Sequence, residues 1–366
     1  MVQSKQKKAI IVTGGYGALG SRIVRNLVQQ VQARVVVAGR DYSQAREMAD
    51  EVGSRVSHRR IDVDNPDSIA DGLDNAGLII NCAPQTGEPQ LAAAAARGAI
   101  PYLDVTSDYR CISQMLALDD EAREGRTRML LGCGLVPGLA NLMARSAVEG
   151  VTEANSITTH LWWQTGPEFS PSWMEQLTDL GRKFPVMKGE YDRSVSNFSE
   201  SRRVSYPAPA RDQREYHFCL PDQFFYPDTL GVAEASSWLS LGSGKLTRLL
   251  NGLSRSKVTG LMGRKAIEGL TRRAVDQIPE GRKDRWIVMV DVAAESGVRR
   301  VIAEGTDLAE SAAMVATEMA RRLLRACPAP GVWMPEEVMT LDALFRPLMQ
   351  RGIKVHAMDL ESPQAA

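Results

Sequence analysis

The sequence lacks both a long run of apolar residues and a net charge. No stretch approaches the roughly 18 consecutive apolar residues that a membrane-spanning helix needs, so we expect no membrane span. The 44 basic residues are balanced by 44 acidic residues. A neutral protein has no general electrostatic attraction for nucleic acid, so we expect no nucleic-acid partner.

Cysteine is also scarce, with five residues scattered over 366 and no CxxC pair. The scattered cysteines predict reduced thiols, which are usual in cytoplasmic proteins. Without a CxxC pair, we also expect no metal site. The first residues, MVQSKQKKAIIV, combine basic residues with only a short apolar run and no small-residue cleavage site. We therefore expect no signal peptide, and the composition predicts a soluble, cytoplasmic protein.

The length of the chain predicts two domains, because single cores stop growing near about 250–300 residues. Up to about residue 145, short apolar runs alternate with helical patterns, which is typical of βαβ units and a parallel sheet. The candidate strands are Ala9–Val12, Arg34–Ala38, Ser57–Ile61, Leu78–Asn81, Tyr102–Val105 and Met129–Gly132. We predict an α/β Rossmann domain, with a doubly wound parallel sheet, over residues 1–148.

The pattern changes after Gly150, and a second, α+β domain is predicted over residues 149–305. Ser156–Gln164 alternates in polarity as a strand does. Arg285–Ala293 and Val298–Glu304 alternate on either side of a short polar turn, which predicts an antiparallel hairpin. A long helix is then predicted from Thr306 and Asp307 to about Cys327, because prolines follow.

A glycine-rich turn lies between the first predicted strand and the first predicted helix. The segment AIIVTGGYGALG contains Gly15-x-Gly17-x-x-Gly20. In dinucleotide-binding domains, the first glycine allows a tight turn, the second lets the backbone approach a pyrophosphate, and the third lets the helix pack on the strand. We therefore assign cofactor contact to the whole turn: Gly14, Gly15, Tyr16, Gly17, Ala18, Leu19 and Gly20.

The end of the second predicted strand selects between the two nicotinamide cofactors. A carboxylate there typically binds the ribose 2′-hydroxyl of NAD, whereas an arginine accommodates the 2′-phosphate of NADP. The sequence has Arg40 at this place, followed by Asp41 and, two residues later, Ser43. Arg40 and Ser43 can both donate to a phosphate, which favours NADP(H) over NAD(H). Two alternatives stay open: Asp41 as a ribose ligand, and Arg40 as a solvated loop residue.

Polar residues follow three further predicted strands, where ligands of open α/β sheets bind. Asp62 and Val63 are expected on the adenine side, with a turn-forming role as the alternative for Asp62. The residues expected on the nicotinamide side are Asn81, Cys82, Ala83, Pro84 and Asp104. Asp104 is the first candidate for orienting the substrate or accepting a proton, and Tyr109 is a further candidate. A structural role is the alternative for Asp104 and Cys82.

One catalytic motif is missing from the sequence. Short-chain dehydrogenases use Tyr-x-x-x-Lys, in which the lysine lowers the pKa of the tyrosine so that it acts as acid and base. No tyrosine of this chain has lysine at that position. The usual alcohol-forming machinery of that class is therefore absent.

The second predicted domain contributes one further catalytic candidate and one basic segment. His160 lies on the strand Ser156–Gln164, where a general-acid role competes with a structural one. The segment from Lys245 to Arg285 contains eleven basic residues and four acidic ones. This excess predicts either an anionic partner, such as an acidic carrier protein, an anionic substrate or a membrane surface, or a solvated helical face.

Several motifs together resemble the saccharopine dehydrogenase-like oxidoreductases. They are GGYGALGS, AGRDYSQA, NCAPQTGEP with GAIPYLDVTSD, GCGLVPGLANLMA and PGVWMPEEV with a closing RGI. The resemblance implies a mixed-sheet substrate domain inserted into the Rossmann domain, with residues 306–366 returning to the latter. It also implies nicotinamide-side roles for Pro137, Gly138 and Asn141.

Members of this family reduce imines or run the reverse oxidation, and some reduce activated double bonds. The resemblance thus implies an NAD(P)H-dependent reductase of a C=N or related bond, acting as a homodimer on a small molecule. The stretch between Trp162 and Arg285 does not obviously reproduce the carboxylate-binding arginines of true saccharopine enzymes, so we do not expect saccharopine as substrate. The alternatives are a non-catalytic cofactor-binding scaffold and a carrier-protein- or membrane-associated enoyl-type reductase.

Overall fold

The computed structural model describes residues 8–84, 89–166, 171–188, 191–256, 263–279, 281–325 and 328–360. The chain forms two compact units. The first comprises Met1–Leu139 and Ala309–Pro347, and the second comprises Ala140–Leu308 and Leu348–Ala366. None of the described helices combines the length and apolar character needed to cross a membrane.

Strands and helices alternate over the first part of the chain. They are β1 (Ala9–Thr13), α1 (Gly20–Gln30), β2 (Val35–Gly39), α2 (Tyr42–Val52), β3 (Val56–Arg60), α3 (Pro66–Gly72), β4 (Ala76–Asn81), α4 (Gln90–Arg97), β5 (Tyr102–Asp104), α5 (Tyr109–Leu116), α6 (Asp119–Glu124), β6 (Arg128–Leu130) and α7 (Leu139–Val148).

Strands dominate the middle of the chain. The elements are β7 (Ala154–Gln164), α8 (Pro171–Thr178), β8 (Lys183–Lys188), β9 (Tyr191–Ser196), β10 (Ser201–Ser205), β11 (Asp212–His217), a 3-10 turn (Pro221–Phe224), α9 (Tyr226–Leu230), β12 (Glu234–Leu241), α10 (Gly244–Arg255), α11 (Arg264–Val275), β13 (Arg285–Ala294) and β14 (Gly297–Thr306).

The C-terminal part contributes elements to both units. They are α12 (Leu308–Arg325), β15 (Gly331–Trp333), α13 (Pro335–Val338), α14 (Leu341–Gln350) and β16 (Lys354–Leu360).

The sheet of the first unit confirms the predicted Rossmann fold. Its described strands are all parallel, in the order β15-β6-β5-β4-β1-β2-β3. Successive strands are added on one side of β1 up to β3 and on its other side from β4 onward. Such a switch point is where open α/β sheets bind ligands, beyond the carboxyl ends of the strands. Helix α1 packs on this sheet because Ile23, Val24 and Leu27 fall on one side of it and are fully buried.

The second unit has a mixed sheet, as predicted. The main order of its strands is β10-β11-β12-β7-β13-β14-β16, and β8 and β9 extend it beside β12. β7 and β12 run parallel, while β7 and β13 are antiparallel. Trp162 and Trp163 point to opposite faces of β7, and both are buried, so both faces of the sheet are covered there. The predicted hairpin is present, with Ala294 opposite Gly297.

The C-terminal segment differs from the expectation that residues 306–366 return to the Rossmann domain. Helix α12 and β15 do so, and β15 pairs with β6 as a strand that the sequence did not predict. β16 instead pairs with β14 in the second unit. The physical reason is that β14 would otherwise be an edge strand with unpaired backbone groups. The predicted helix end near Cys327 lies outside the described residues.

Candidate functional site

The turn between β1 and α1 is held by three glycines that the protein itself requires. Gly14 has a positive φ of 65°, and a Cβ atom there would lie 2.8 Å from the amide nitrogen of Ala83. A Cβ at Gly15 would lie 2.7 Å from the carbonyl oxygen of Val12, and one at Gly20 would lie 2.2 Å from that of Gly14. Side chains at these positions would therefore force the backbone apart.

Gly17 is less crowded than the other three glycines of the turn. A Cβ there would meet the carbonyl oxygen of Gly14 at 3.1 Å, a tight contact but not one as short as those at Gly14, Gly15 and Gly20. The fold therefore gives a weaker reason for glycine here than at those positions. Close approach of a pyrophosphate gives a strong one, so the turn fits the cofactor that the sequence predicts.

The N-terminus of α1 is open to an anion. No side chain caps it, and its first turn carries no acidic residue. By contrast, Asp41 caps α2 and Asn65 caps α3. The amides of a first helical turn lack intrahelical partners and carry the positive end of the helix dipole. An uncapped end at the carboxyl edge of β1 is therefore suited to a phosphate.

Arg40 follows the last residue of β2, and the carboxylate of its neighbour Asp41 is bound to the start of α2. One oxygen of Asp41 accepts the backbone amides of Ser43 and Gln44 at 2.9 and 3.1 Å, and the other accepts the Gln44 side chain at 2.8 Å. These hydrogen bonds lower the pKa of Asp41. Arg40 itself is exposed. The geometry supports Asp41 as a helix cap rather than as a ribose ligand.

Tyr16 shapes the same edge. Its hydroxyl accepts the Asp41 amide at 3.2 Å. Its ring covers Gly39, where a Cβ would lie 2.4 Å from the ring. Sequence reasoning did not single out Gly39, although a glycine ending a strand next to a Gly-rich turn is a signal for such a close approach.

Asp62 forms a turn at the end of β3. Its Oδ1 accepts the amide of Asp64 at 3.2 Å, and its own amide donates to the Ser68 hydroxyl at 3.0 Å. Val63 is buried. The turn-forming role is thus present, and contact with adenine stays a prediction for both residues.

A buried hydrogen-bond network joins β1, β4 and β5 at their carboxyl ends. The Thr13 hydroxyl donates to Asn81 Oδ1 at 2.6 Å, and Asn81 Nδ2 donates to Asp104 Oδ2 at 2.8 Å. Asp104 also accepts the Tyr102 hydroxyl at 2.5 Å and the Thr106 amide at 2.7 Å. The network fixes the edge of the sheet where the predicted site lies.

Asp104, the first candidate for contact with substrate, is buried in this structure, and its assignment to the site stays a prediction. Its exposed fraction is 0%. Burial raises its pKa, and the donors around it only partly offset this effect. Because the carboxylate already accepts three hydrogen bonds within the first unit, Asp104 is suited to holding Asn81 and the loop after β5 in place. Direct contact with substrate or cofactor is untested for this residue.

The remaining nicotinamide-side candidates differ in accessibility. Pro84 is exposed, whereas Pro137 is buried in a tight loop in which Gly134 donates its amide to the Pro137 carbonyl at 2.9 Å. Burial raises the pKa of the Cys82 thiol, which disfavours a thiolate. Tyr109 begins α5, is half-buried, and its hydroxyl accepts Arg110 Nε at 3.4 Å.

His160 belongs to a buried charged cluster of the second unit. Its Nδ1 lies 2.9 Å from an oxygen of Glu215, and its Nε2 lies 3.4 Å from Asp291. Glu215 also accepts Arg202 at 2.6 Å and the Tyr206 hydroxyl at 2.9 Å. Burial alone would lower the pKa of His160, but the carboxylates raise it.

This environment favours the structural alternative for His160, and its general-acid role stays a prediction. The side chain is only 3% exposed and is held by carboxylates on both sides. The ring lies between the buried Glu215 and the half-buried Asp291, which suits a structural role in this cluster. Sequence reasoning missed Glu215 because its contact with His160 joins residues that are 55 positions apart.

Comparisons with known proteins agree with this fold. The family model of the saccharopine dehydrogenase NADP binding domain matches residues 10–130. The L-Glu-forming saccharopine dehydrogenase from Saccharomyces cerevisiae is similar in structure, with a TM-score of 0.72 and 13% identity over 96% of this chain and 100% of that chain. The amine dehydrogenase from Mycobacterium smegmatis gives a TM-score of 0.53 and 10% identity over 93% and 98%. No curated protein matches the sequence.

The parallel sheet and its glycine turn define a domain of the dinucleotide-binding Rossmann class. Within this class, residues 10–130 match the model of the saccharopine dehydrogenase NADP binding domain, and the fold of the chain is similar to that of saccharopine dehydrogenase. The family resemblance predicted from the sequence is confirmed.

Proposed function

We propose that this chain is an NADP(H)-dependent oxidoreductase that reduces the C=N bond of a small-molecule imine or oxidises the corresponding amine. The observation that carries the proposal is the open cradle formed by Gly17 and the uncapped α1, with Arg40 exposed at the neighbouring strand end. The names of the two similar structures, a saccharopine dehydrogenase and an amine dehydrogenase, support chemistry at a carbon–nitrogen bond.

Different residues around the cradle bind different parts of the cofactor. The turn Gly14–Gly20 and the first turn of α1 hold the pyrophosphate, Arg40 and Ser43 hold the 2′-phosphate, and Asp62 and Val63 border the adenine. The loop after β4, from Asn81 to Pro84, borders the nicotinamide and is held by Asp104. When bound, the nicotinamide donates or accepts a hydride, and the protein's task is to orient the acceptor carbon and exclude water.

Tyr109 is the proposed proton donor to the nitrogen of the reduced bond. Of the three catalytic candidates, Asp104 and His160 are buried in hydrogen-bond networks, while Tyr109 is half-buried at the carboxyl edge of the Rossmann sheet. A phenol can serve as a general acid. A cytoplasmic location and a homodimeric state belong to the same proposal, and the location rests on the composition and the scattered cysteines.

The cofactor half of the proposal is tested by binding. NADPH should bind more tightly than NADH, and Arg40→Ala should erase most of this preference. Loss of a charge-assisted contact costs about 1.5–3 kcal/mol, or roughly ten- to a hundred-fold in affinity. Fluorescence titration with both cofactors measures it, and equal affinities in the unmodified protein would refute the assignment.

The reaction itself is tested by screening amine and carbonyl pairs for oxidation of NADPH. Tyr109→Phe should lower turnover by about a hundred-fold or more while NADPH affinity stays the same. A cofactor that binds without turnover on any imine would point instead to a non-catalytic scaffold.

A further inference from the structure

We propose that Arg60, at the end of β3, is a second arginine for the 2′-phosphate and determines NADP specificity together with Arg40. This inference rests on the proposed function, because it concerns the same cofactor. Arg60 lies directly beside Gly39 in the parallel pairing of β2 and β3, and Gly39 immediately precedes Arg40. Neighbouring strands lie about 4.8 Å apart, so the two arginines leave the sheet at one edge.

A contact two residues earlier settles the face on which Arg60 lies. His58 is on the same face of β3 as Arg60, because side chains alternate along a strand. His58 Nε2 lies 2.9 Å from the hydroxyl of Tyr42, which is the first residue of α2, and the two rings meet edge to face. Arg60 is therefore on the α2 side of the sheet, where the loop Arg40–Asp41 leads into that helix.

Arg59, the neighbour of Arg60, lies on the opposite face of β3 and binds backbone carbonyl groups there. Its guanidinium donates to the carbonyl oxygens of Gly72 and Asp74, at 2.5 and 2.9 Å, at the end of α3. Arg59 is half-buried and structural, whereas Arg60 is exposed. The two adjacent arginines therefore have separate surroundings, which makes Arg59 a matched control.

The electrostatics of this edge favour a doubly charged ligand. Among the described residues, neither Arg40 nor Arg60 takes part in an ion pair. Asp41, next to Arg40, has its oxygens on the amides and the side chain of α2. Asp62, two residues after Arg60, accepts the amide of Asp64 with its Oδ1. A phosphate monoester carries a charge of about −1.5 to −2 at neutral pH, more than one guanidinium neutralises. Two exposed guanidinium groups match that charge.

The test compares ligands that differ only in the 2′-phosphate. The full chain is titrated calorimetrically with 2′,5′-ADP and 5′-AMP, and with NADP⁺ and NAD⁺. Arg60→Ala should weaken binding of 2′,5′-ADP and NADP⁺ by roughly ten-fold, the loss of one charge-assisted contact, and leave 5′-AMP and NAD⁺ nearly unchanged. Arg60→Lys should recover part of the loss, because it restores charge but not the planar fork.

Arg59→Ala separates this role from a general effect of charge. It should leave the ratio of NADP⁺ to NAD⁺ affinities at the value of the unmodified protein, with circular dichroism confirming that all variants fold. The inference is wrong if Arg60→Ala keeps that ratio, or if Arg59→Ala lowers it equally, while the unmodified protein still prefers NADP⁺; the proposed function then stands. If the unmodified protein shows no preference for NADP⁺, the proposed cofactor is refuted as well.

Discussion

The two units each bury a carboxylate completely, and the two carboxylates behave in opposite ways. Asp104 in the first unit and Glu215 in the second both have an exposed fraction of 0%. Burial raises the pKa of Asp104, whose partners are neutral donors. Burial would also raise the pKa of Glu215, but His160 and Arg202 lower it below its ordinary value. The difference shows that the charge of the partners, and not burial alone, decides the ionisation of a buried acid.

The comparison also bears on function. A buried carboxylate with a raised pKa is a common mark of a catalytic acid. Asp104 has that mark, yet its oxygens are occupied by Tyr102, Asn81 and Thr106. For Asp104 the raised pKa therefore accompanies a network of hydrogen bonds at the ends of β1, β4 and β5, which is why the proposed proton donor is the half-buried Tyr109.

The largest effect is expected from Glu215→Gln. The substitution removes the charge that faces the His160 imidazolium and the Arg202 guanidinium, and leaves these cations short of a counter-charge. Breaking a buried ion pair in this way costs about 3–5 kcal/mol. Urea unfolding followed by circular dichroism measures the loss of stability.

An exposed ion pair supplies the control for Glu215→Gln. Glu51 pairs with Arg25 at 2.8 Å, with 61% and 45% of the side chains exposed. Glu51→Gln should change stability by less than about 1 kcal/mol, because solvent screens such pairs. If Glu215→Gln costs no more than Glu51→Gln, the buried cluster does not stabilise the second unit.

A smaller loss of stability is expected from Asp104→Asn. The amide keeps the shape but loses one acceptor, so one of the three donors stays unsatisfied, at a cost of about 1–3 kcal/mol. No buried cation loses its partner, which is why the effect is smaller than that of Glu215→Gln. Urea unfolding measures this loss of stability. Turnover is measured in parallel on any substrate that proves active. A fall in turnover of about a hundred-fold at unchanged stability would instead make Asp104 a catalytic residue.

The smallest expected effect is a change in the free energy of unfolding with pH, which arises from the titration of His160. Its pKa is raised in the folded protein, so its contribution to stability is complete below the unfolded pKa of about 6.5 and is lost as the pH rises through the folded value. The free energy of unfolding of the second unit should therefore fall above about pH 6.5. His160→Gln should flatten this slope in urea titrations at several pH values, and an unchanged slope would contradict the protonated state of the imidazole.

Much of the first unit was predictable because its signals are local. The six strands from β1 to β6 follow from short apolar runs between helical patterns, and observed boundaries differ from predicted ones by one or two residues. β15 was missed because three residues, Gly331–Trp333, are too few to show a period. Only its pairing with β6 defines it as a strand.

The candidate site was predictable in part for the same reason. The turn Gly14–Gly20 and Arg40 are contiguous motifs placed by one strand and one helix, and the structure finds them at neighbouring strand ends. The roles of Asp41 and Asp104 were not predictable. A carboxylate after a strand has the same sequence signature whether it caps a helix, joins strands or binds a ligand, and its hydrogen-bond partners distinguish the three.

By itself, the sequence determined that this protein has a parallel dinucleotide-binding sheet with an anion cradle at its first turn, and a second domain rich in strands. These properties follow from spacing and residue type within short segments. Only the tertiary structure decided that Asp104 and His160 are buried and that Arg60 pairs with Gly39, the residue before Arg40. Exposure and pairing depend on strands that are close in space but distant in sequence: Glu215 meets His160 across 55 residues, and no local pattern encodes that contact.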